Sequence, residues 1–272
     1  MQKDAKHTRH HHHGFRSAVA APHVHWVILL PLLVIAGLFV AFWLSGRPVA
    51  LDIHALSPSL ISSALLLSLA RIGIGYGLSI LVAVPLALLV VYNSVTEKIF
   101  LPLFDILESI PVLAFFPLLI VFFVNTGFLN TAAVVLLFLS MVWNVLFSLI
   151  GGLKLIPTEI KSVAQVLHFK KGNYFSWVLL PALVPSLVTG SIIAVAEGWN
   201  VIIVAEVLHT YIPNGTPASD LLGIGNLLVQ ASAAGDYGTL MYLLAILTIV
   251  IGLINFFVWQ KLLHYAERFR FE

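Results

Sequence analysis

The chain has 272 residues, of which 60% are hydrophobic and 10% charged, with a formal net charge of +2 and no cysteine. Soluble domains are about 45–50% apolar and about 25% charged, so an ordinary soluble enzyme, a disordered chain and a nucleic-acid-binding domain are excluded. Disulfides and thiolate metal sites are excluded as well. A membrane span needs about 20 apolar residues, so the length accommodates about six spans.

The predicted elements begin with a polar, basic tail over residues 1–25. Segment 26–59 then contains a first span, Trp26 to Leu44, and an outside loop. Tryptophan near both ends of this span is typical of the membrane interface. The histidine run His10–His13 in the tail has three open interpretations. Metal binding is one, and a purification-tag remnant or an incidental polar tract are the two that we favour.

Five further apolar runs lie within residues 60–272 and predict an all-α, polytopic membrane fold. The run over 60–92 is longer than one span needs, so its first part is expected along the membrane interface. The run over 99–124 contains three prolines, which predict an interfacial piece to Ser109 and a short span from Val112. A short loop at 93–98, a basic polar segment at 154–174 and the longest polar loop, 209–237, separate the runs. The last three runs cover 131–153, 186–208 and 239–263.

The distribution of basic residues supports six spans. With both termini in the cytoplasm, the cytoplasmic segments contain 12 of the 14 Lys and Arg residues. The outside loops contain only Arg47, and Arg71 falls inside a span. This asymmetry follows the positive-inside rule, so we predict both termini in the cytoplasm.

Several catalytic motifs are missing from the sequence. Without a G-x-x-x-x-G-K-[ST] phosphate loop, the chain is not expected to hydrolyse ATP. The H-E-x-x-H zinc motif and the G-x-S-x-G nucleophile elbow are also missing. We therefore expect no catalytic residue, no metal and no cofactor in this chain. Gly73 and Gly77 have small-xxx-small spacing and predict a helix face that another helix approaches closely.

The basic loop over about 154–181 is the most informative stretch. Pro157 and Thr158 stand where a helix start is expected. Four apolar residues then share one face with the spacing i, i+3, i+4, i+7: Ile160, Val163, Ala164 and Leu167. The sequence predicts a short amphipathic helix over 158–171. Such a helix either docks on a partner or lies on lipid.

This loop resembles the cytoplasmic coupling loop of ABC importer permeases, which reads E-A-A, three residues, G, nine residues, I-x-L-P. With Leu180 and Pro181 aligned on the final Leu-Pro, Val178 takes the Ile position and Ala164 the second Ala. Three positions depart from the pattern: Ser162 replaces Glu, Val163 replaces the first Ala, and His168 replaces Gly.

Four other segments occur in the expected order and resemble the nitrate/sulfonate/taurine/bicarbonate group of these permeases. They are Ser68 to Gly75 with the following Val84 to Leu86, Ser109 to Leu118, Ala196 to Glu206, and Asn255 to Phe269. The last two are most similar to anion-transport permeases that occur as duplicated, double-length chains, of which one copy is present here. The resemblance covers about residues 60–272, the permease core.

The resemblance implies a type I importer permease fold in a bacterial-type inner membrane. It implies the transmembrane subunit of an ATP-driven importer for a small anion such as nitrate, a sulfonate or bicarbonate. The implied partners are a cytoplasmic ABC ATPase dimer carrying ATP and Mg²⁺, a second permease chain, identical or not, and an extracytoplasmic solute-binding protein. ATPase coupling is expected at Ile160, Val163, Ala164, Leu167, His168, Leu180 and Pro181.

Eight residues are candidates for the pathway or its gates: Arg71, Glu108, Glu197, Trp199, Asn200, Glu206, Gly223 and Gly225. An anion pathway would favour Arg71, but a structural pair with an acidic residue, or snorkelling, is slightly preferred. Glu206 is expected to be solvated near the outer end of its span. Glu197, nearer the middle, is expected to be paired, hydrogen-bonded or protonated, with Arg71 as a candidate partner.

The other four candidates each have two interpretations. Trp199 and Asn200 either line the pathway or pack between helices with an Asn hydrogen bond. Gly223 and Gly225 lie in an outside loop that holds re-entrant gate helices, docks a binding protein, or does both.

Two other classes of protein fit the composition. A self-sufficient secondary transporter or channel should show inverted repeats or paired broken helices, and the sequence has no convincing internal repeat. A membrane-embedded enzyme needs convergent His, Asp or Glu side chains on its spans. The acids Glu108, Glu197 and Glu206 are scattered along the sequence, so both alternatives rank below the importer.

Overall fold

The computed structural model describes residues 57–124, 129–167, 171–174, 178–211 and 220–269, and all regular structure in these ranges is helical. The α-helices are α1 Pro58–Tyr92, α2 Ser94–Ser109, α3 Phe116–Val124, α4 Leu129–Lys154, α5 Thr158–Val166, α6 Lys171–Tyr174, α7 Leu180–Glu206, α8 Ile224–Ala233, α9 Tyr237–Ile254 and α10 Gln260–Ala266. A π-helical turn, Asn255–Trp259, connects α9 to α10.

Among the described residues, four helical segments are long and apolar enough to cross a membrane. The bent pair Ser94–Ser109 and Val112–Phe123 makes a fifth if it is counted as one span. Each of the five apolar runs predicted after residue 60 corresponds to one of these segments, so the all-α polytopic fold is confirmed. The predicted tail and first span lie outside the described residues, and the division at 25 and 59 stays a prediction.

A single residue, Asn93, separates α1 from α2, so the prediction of a loop over 93–98 is wrong. The Asn93 side-chain oxygen accepts hydrogen bonds from the N–H groups of Val95 (3.0 Å) and Thr96 (3.4 Å). Asn caps a helix in this way because the first N–H groups of a helix have no backbone partner. Glu97 in the first turn adds a favourable charge at the positive end of α2.

The predicted break after Ser109 is confirmed. A 3₁₀ turn over Val112–Phe115 follows the end of α2, and the two halves of the pair meet at 79°. Pro111 lacks an N–H and disfavours the helical conformation at Ile110, whose ψ is 124°. The bend turns this part of the chain toward α4, where it forms one wall of a cleft described below.

Helix α7 begins at Leu180, whereas the predicted run began at Ser186. Pro181 lies in the first turn of α7, where a missing N–H breaks no hydrogen bond. Pro185 also remains inside the helix. The prediction was wrong because it treated the proline-containing stretch as part of the loop.

Helices α4 and α7 form the centre of the bundle. In their most apolar stretches 56% and 50% of the residues are buried, compared with 28% in α1 and 11% in Tyr237–Phe269. Helix α4 packs most extensively against α7 and α1. Lipid is as apolar as leucine, so close packing and hydrogen bonding hold such helices together.

Glycine allows the closest approaches of these helices. A Cβ atom at Gly190 of α7 would lie 2.6 Å from Ser148 Cβ and 3.1 Å from the Asn144 carbonyl oxygen of α4. No described helix contacts the predicted face at Gly73 and Gly77, where a Cβ would meet nothing within 4 Å, so that contact stays a prediction. A Cβ at the intervening Gly75 would lie 3.0 Å from Leu137 Cβ, because α4 lies on the opposite side of α1.

We expect Gly190→Ala to destabilise the bundle, because the added methyl group forces α4 and α7 apart. Overpacking of this kind costs about 1–3 kcal/mol. The midpoint of thermal unfolding in detergent should fall by several degrees, measured by fluorescence-detected gel filtration. The matched control is Gly77→Ala, whose methyl group enters open space, and an equal loss in both variants would contradict the packing argument.

Candidate functional site

A buried ion pair connects α1 to the C-terminal end of α7. Arg71 Nη1 lies 2.7 Å from Glu206 Oε1, and the two side chains are 7% and 0% exposed. Arg71 also donates to the Leu222 carbonyl oxygen (2.9 Å) and, through Nε, to Asn130 Oδ1 (3.0 Å). A buried charge is costly unless it is paired and hydrogen-bonded, and these contacts tie three helices and the segment before α8 to one guanidinium group.

The Glu206 carboxylate also holds the N-terminus of α8. It accepts hydrogen bonds from Ser68 Oγ (2.6 Å) and from the Gly225 N–H (2.9 Å). Ser68 Oγ in turn accepts from the Ile224 N–H (2.9 Å). The first N–H groups of a helix lack backbone partners and carry partial positive charge, so a carboxylate is their natural acceptor. The described part of the chain leaves no buried side-chain N or O atom without a partner.

Gly223 and Gly225 are required for close approach rather than for an unusual backbone angle. Gly223 caps α8 in an extended conformation with φ −175°, which any residue adopts. A Cβ there would overlap the Glu206 carboxylate, and one at Gly225 would lie 2.6 Å from Ile203 Cα. The two glycines therefore let α8 rest directly on the end of α7.

Two expectations about the acidic residues are wrong. Glu206 is fully buried rather than solvated, because the chain folds back over the end of α7 and the Leu221 N–H donates to the Glu206 carbonyl oxygen (3.0 Å). Arg71 pairs with Glu206 and not with Glu197, which lies nine residues earlier, about 13 Å along the helix axis. The expected structural pairing of Arg71 with an acid is confirmed.

The predicted loop after α7 contains a helix, α8, and its roles as a re-entrant gate and as a docking site for a binding protein stay predictions. Helix α8 packs against α7, α9 and α1. Asp220, with a side chain only 1% exposed, accepts from the His209 N–H (2.8 Å) and lies 2.8 Å from His209 Nδ1. At the start of α9, Asp236 accepts from the Thr239 N–H (3.0 Å), and hydrogen bonding to Thr239 lowers the pKa of the Asp236 carboxyl.

A cleft of about 420 Å³ lies between the α2 bend, α4 and α7, and we call it the glutamate cleft. Glu108 of α2 and Glu197 of α7 both line it, so the structure brings together two acids that are scattered in the sequence. The other lining residues are Leu107, Ile110, Pro111, Val112, Phe115, Leu139, Ser140, Trp143 and Asn144. The Trp143 ring packs against Phe104 of α2 at a centroid distance of 5.8 Å.

A second cleft, of about 500 Å³, lies further along the same side of α4, and we call it the small-residue cleft. Its lining is Phe147, Ser148, Gly151, Gly152, Leu155, Ala182, Pro185, Ser186, Thr189 and Phe269. Together the two clefts follow α4 from Leu139 to Gly152 and continue to Leu155, just after the helix. The sequence analysis missed Asn144 of the glutamate cleft, although a polar residue within an apolar run was a detectable signal.

The remaining pathway candidates do not line either cleft. Trp199 is buried at 8% exposure, which fits packing between helices. Asn200 is exposed, and within the described residues its side chain makes no hydrogen bond. Among the residues that the structure describes, no group of three or more His, Asp or Glu side chains could hold a metal ion.

The predicted coupling segment is helical but shorter than expected. Helix α5 begins at Thr158, as predicted, and ends at Val166 rather than at residue 171. The apolar stripe ends at Leu167, so nothing in the pattern favours helix beyond it. Ile160 is half-buried, and Leu167 and Leu180 are 60% and 52% exposed. Pro181 is half-buried in the first turn of α7.

Three expected coupling features are not fully described. The structure gives the backbone, but not the side-chain surroundings, of Val163 and Ala164. His168 lies outside the described residues. Their expected roles in ATPase coupling stay predictions.

Known proteins similar to the chain are membrane permeases. The profile of the family described as "Binding-protein-dependent transport system inner membrane component" matches residues 75–266. The bicarbonate transport system permease protein CmpB of Synechococcus elongatus is 32% identical over 158 residues, 58% of this chain and 52% of that protein. The nitrate import permease protein NrtB of the same species is 30% identical over 183 residues, 67% of this chain and 61% of that protein.

The chain spans about half the length of the curated relatives it matches. Among solved structures, it is similar to the MetNI methionine ABC transporter in an inward-facing conformation. The TM-score is 0.63 at 18% identity, covering 78% of this chain and 99% of that one. This likeness concerns the fold and confirms the expected architecture of a type I importer permease.

We expect Glu206→Gln to destabilise the chain strongly, because it leaves the Arg71 charge buried without a carboxylate. Breaking a buried pair in this way costs about 3–5 kcal/mol. Glu197→Gln, which removes a carboxylate without breaking an ion pair in the described residues, should leave the thermal midpoint in detergent nearly unchanged.

The exchanged variant Arg71→Glu/Glu206→Arg should not recover stability. A cation at position 206 would face the Gly225 N–H and Ser68, which need an acceptor. Full recovery in the same thermal assay would show that the ion pair matters only as a pair of opposite charges and would contradict the proposed anchoring of α8.

Proposed function

The chain belongs to the family of binding-protein-dependent transport system inner membrane components, and we propose that it is the permease subunit of an ATP-driven importer for a small anion. The observation that carries this proposal is the family match, which spans the coupling segment, the glutamate cleft and all of the small-residue cleft except Phe269. Two relatives bear the names of nitrate and bicarbonate permeases, which supports a small anion as the solute.

The proposal assigns energy conversion to partner proteins. A cytoplasmic ABC ATPase dimer binds ATP and Mg²⁺, because the chain has no phosphate loop of its own. A second permease chain completes the pathway, and an extracytoplasmic binding protein delivers the solute. With both termini in the cytoplasm, α5 lies on the cytoplasmic face of a bacterial-type inner membrane, where the ATPase can reach it.

The position of α5 supports its role as the coupling helix. Three residues separate it from α4, whose side lines both clefts. A displacement of α5 by the closing ATPases therefore acts directly on the helix that borders the pathway. Because packed helices move as rigid units between discrete arrangements, such a displacement opens the pathway alternately to the two sides of the membrane.

An ion pair extends this connection to α2. Lys154 Nζ at the end of α4 lies 2.6 Å from Glu97 Oε1 in the first turn of α2. The opposite end of α2 contributes Leu107 and Glu108 to the glutamate cleft. Helix α2 therefore joins the start of the coupling segment to the cleft wall, and we assign Glu97 and Lys154 as positioning residues for coupling.

The alternative function is a self-sufficient secondary transporter. Such a protein would place broken helices in corresponding positions of two repeats. Within the described ranges the structure has one pair of helices bent in this way, Ser94–Ser109 with Val112–Phe123. Because a single bent pair does not form a repeat, no specific observation favours this alternative.

Purification of the chain from its native membrane in mild detergent should yield a stoichiometric phosphate-loop ATPase, identified by mass spectrometry, with ATP hydrolysis in the eluate. Reconstituted with its binding protein, this complex should import solute only with ATP. Ala164→Arg should leave assembly in the membrane intact and reduce ATP-dependent uptake by at least about tenfold, a barrier change of about 1.4 kcal/mol.

The matched control for that variant is Glu267→Arg, which adds the same side chain at an exposed position outside the coupling segment. Normal uptake by Ala164→Arg would contradict the docking role of α5. Solute movement in vesicles by a chain that carries no ATPase would instead support the secondary transporter.

We expect Lys154→Glu to lower the number of solute molecules imported per ATP hydrolysed, because it places like charges at the junction of α2 and α4. Exposed pairs contribute about 0.2–1 kcal/mol, so the loss should be about 1.4- to fivefold. The exchange Glu97→Lys/Lys154→Glu should restore the ratio. Glu267→Lys, at an exposed acid near the C-terminus, serves as the control, and failure of the exchange to restore coupling would refute the assignment.

A further inference from the structure

Two serine hydroxyl groups that line the small-residue cleft have no hydrogen-bond partner among the described residues. Elsewhere in the long helices, Ser79, Thr189 and Ser191 each donate to the backbone carbonyl oxygen one turn earlier. Ser148 of α4 and Ser186 of α7 make no such bond. No buried side-chain oxygen of the described chain lacks a partner, so both hydroxyls are open to the cleft that they line.

A glycine on the facing helix stands opposite each of these serines. A Cβ atom at Gly152 of α4 would overlap the Ser186 hydroxyl, and one at Gly190 of α7 would lie 2.8 Å from Ser148 Oγ. Serine and glycine therefore stand one turn apart on both helices, and each serine meets the glycine of the other helix. This close crossing holds the two hydroxyls at one cleft.

The small-residue cleft is uncharged, which distinguishes it from the glutamate cleft. None of its described lining residues is Asp, Glu, Lys, Arg or His, whereas Glu108 and Glu197 line the glutamate cleft. A carboxylate repels an anion, and it does so more strongly in an apolar bundle than in water. A free hydroxyl instead donates a hydrogen bond to an anion. Of the two clefts, the small-residue cleft is therefore the one suited to hold an anion.

Neutral donors also suit a site through which a solute must pass. Binding along a pathway must be favourable enough for the solute to enter and weak enough for it to leave. Two hydroxyl groups satisfy both conditions better than a buried cation, which would hold an anion tightly. The cleft volume of about 500 Å³ leaves space for water around a small anion, so the anion keeps part of its hydration.

The exposed surface of α7 supports a position of this cleft on the pathway. Thr189 and Asn200 are both exposed and lie on the same face of the helix, three turns apart. Polar side chains on a membrane-spanning helix face the bundle interior or a water-filled cavity rather than lipid. Thr189 lines the small-residue cleft, which extends to Leu155, just before the start of α5 at Thr158. The cleft therefore lies beside the proposed pathway and next to the coupling helix.

We propose that the small-residue cleft is an anion-binding subsite of this chain, in which Ser148 and Ser186 donate their O–H groups to the passing solute. The inference rests on the proposed importer function and adds the residues that contact the anion. It also assigns the two clefts different roles, since the carboxylates of the glutamate cleft do not bind the anion.

The first test measures uptake by the complex of this chain with its ATPase and binding protein, reconstituted in liposomes. The probe is nitrate, bicarbonate or ethanesulfonate, whichever the parent complex imports. Ser148→Ala and Ser186→Ala each remove one hydroxyl and add no atoms. Each should lower ATP-dependent uptake about tenfold, because a hydrogen bond to an anion is lost. Ser62→Ala, at an exposed hydroxyl near the start of α1, should leave uptake unchanged.

The thermal midpoint in detergent separates anion binding from a packing role. Neither Ser148 nor Ser186 stabilises the described fold through a hydrogen bond of its hydroxyl. The midpoints of both alanine variants should therefore equal that of the parent complex, while uptake falls.

The second test measures binding without transport. The chain has no cysteine, so Ser148→Cys and Ser186→Cys each give it a single thiol at the cleft. The complex is treated in detergent with methyl methanethiosulfonate, without ATP or binding protein. Modification should slow in a saturable way as the concentration of the same probe anion rises, because a bound anion excludes the reagent. Modification of Ser62→Cys should not change, and mass spectrometry of this chain measures the modified fraction.

Several outcomes would overturn the inference while the importer stands. Unchanged uptake in both alanine variants is one, and a fall in uptake with an equal loss of thermal stability is another. Thiols that the reagent does not reach, or whose modification the anion does not slow, also contradict an anion subsite. ATP hydrolysis without import of any of the three anions would refute the small-anion solute, and a chain without an associated ATPase would refute the importer, in both cases together with this inference.

Discussion

The buried charge of Arg71 must be neutralised, and the packing of α1, α7 and α8 depends on how this is done. A guanidinium group inside an apolar bundle needs a carboxylate and hydrogen-bond acceptors at close range. Glu206 supplies the carboxylate, and the same group accepts from Ser68 and from the Gly225 N–H. One acidic side chain therefore fixes the relative positions of α1, α7 and α8, and the absence of side-chain carbon at Gly223 and Gly225 permits the contact.

Helix α4 organises the two clefts of the bundle. This helix makes the most extensive contacts with α7 and α1, borders both clefts and leads within three residues into α5. The rigid pairing of α4 with α7 depends on glycine positions such as Gly190, where backbones meet without intervening side chains. In the proposed importer, this rigidity is what allows a movement at the cytoplasmic face to reach the glutamate cleft.

Much of the local structure could be predicted because it depends on neighbouring residues. Pro111 disfavours the helical conformation at the residue before it, and Pro157 with Thr158 begins a helix, so the break after Ser109 and the start of α5 were both predictable. Boundaries failed where a single side chain changed the local outcome. Asn93 caps α2 and removes a predicted loop, and Pro181 is tolerated in the first turn of α7.

The sequence by itself determined the membrane environment, the succession of apolar helices from residue 60 onward and the family resemblance, because composition, hydropathy and motif order are properties of the linear chain. Only the tertiary structure decided which acid pairs with Arg71 and which acids share a cleft. Arg71 and Glu206 are 135 residues apart. Glu206 lies near a helix end, where a carboxylate is expected to be solvated, but the segment before α8 folds back and buries it. Glu108 and Glu197 line one cleft for the same reason, since the positions of distant segments depend on the packing of whole helices.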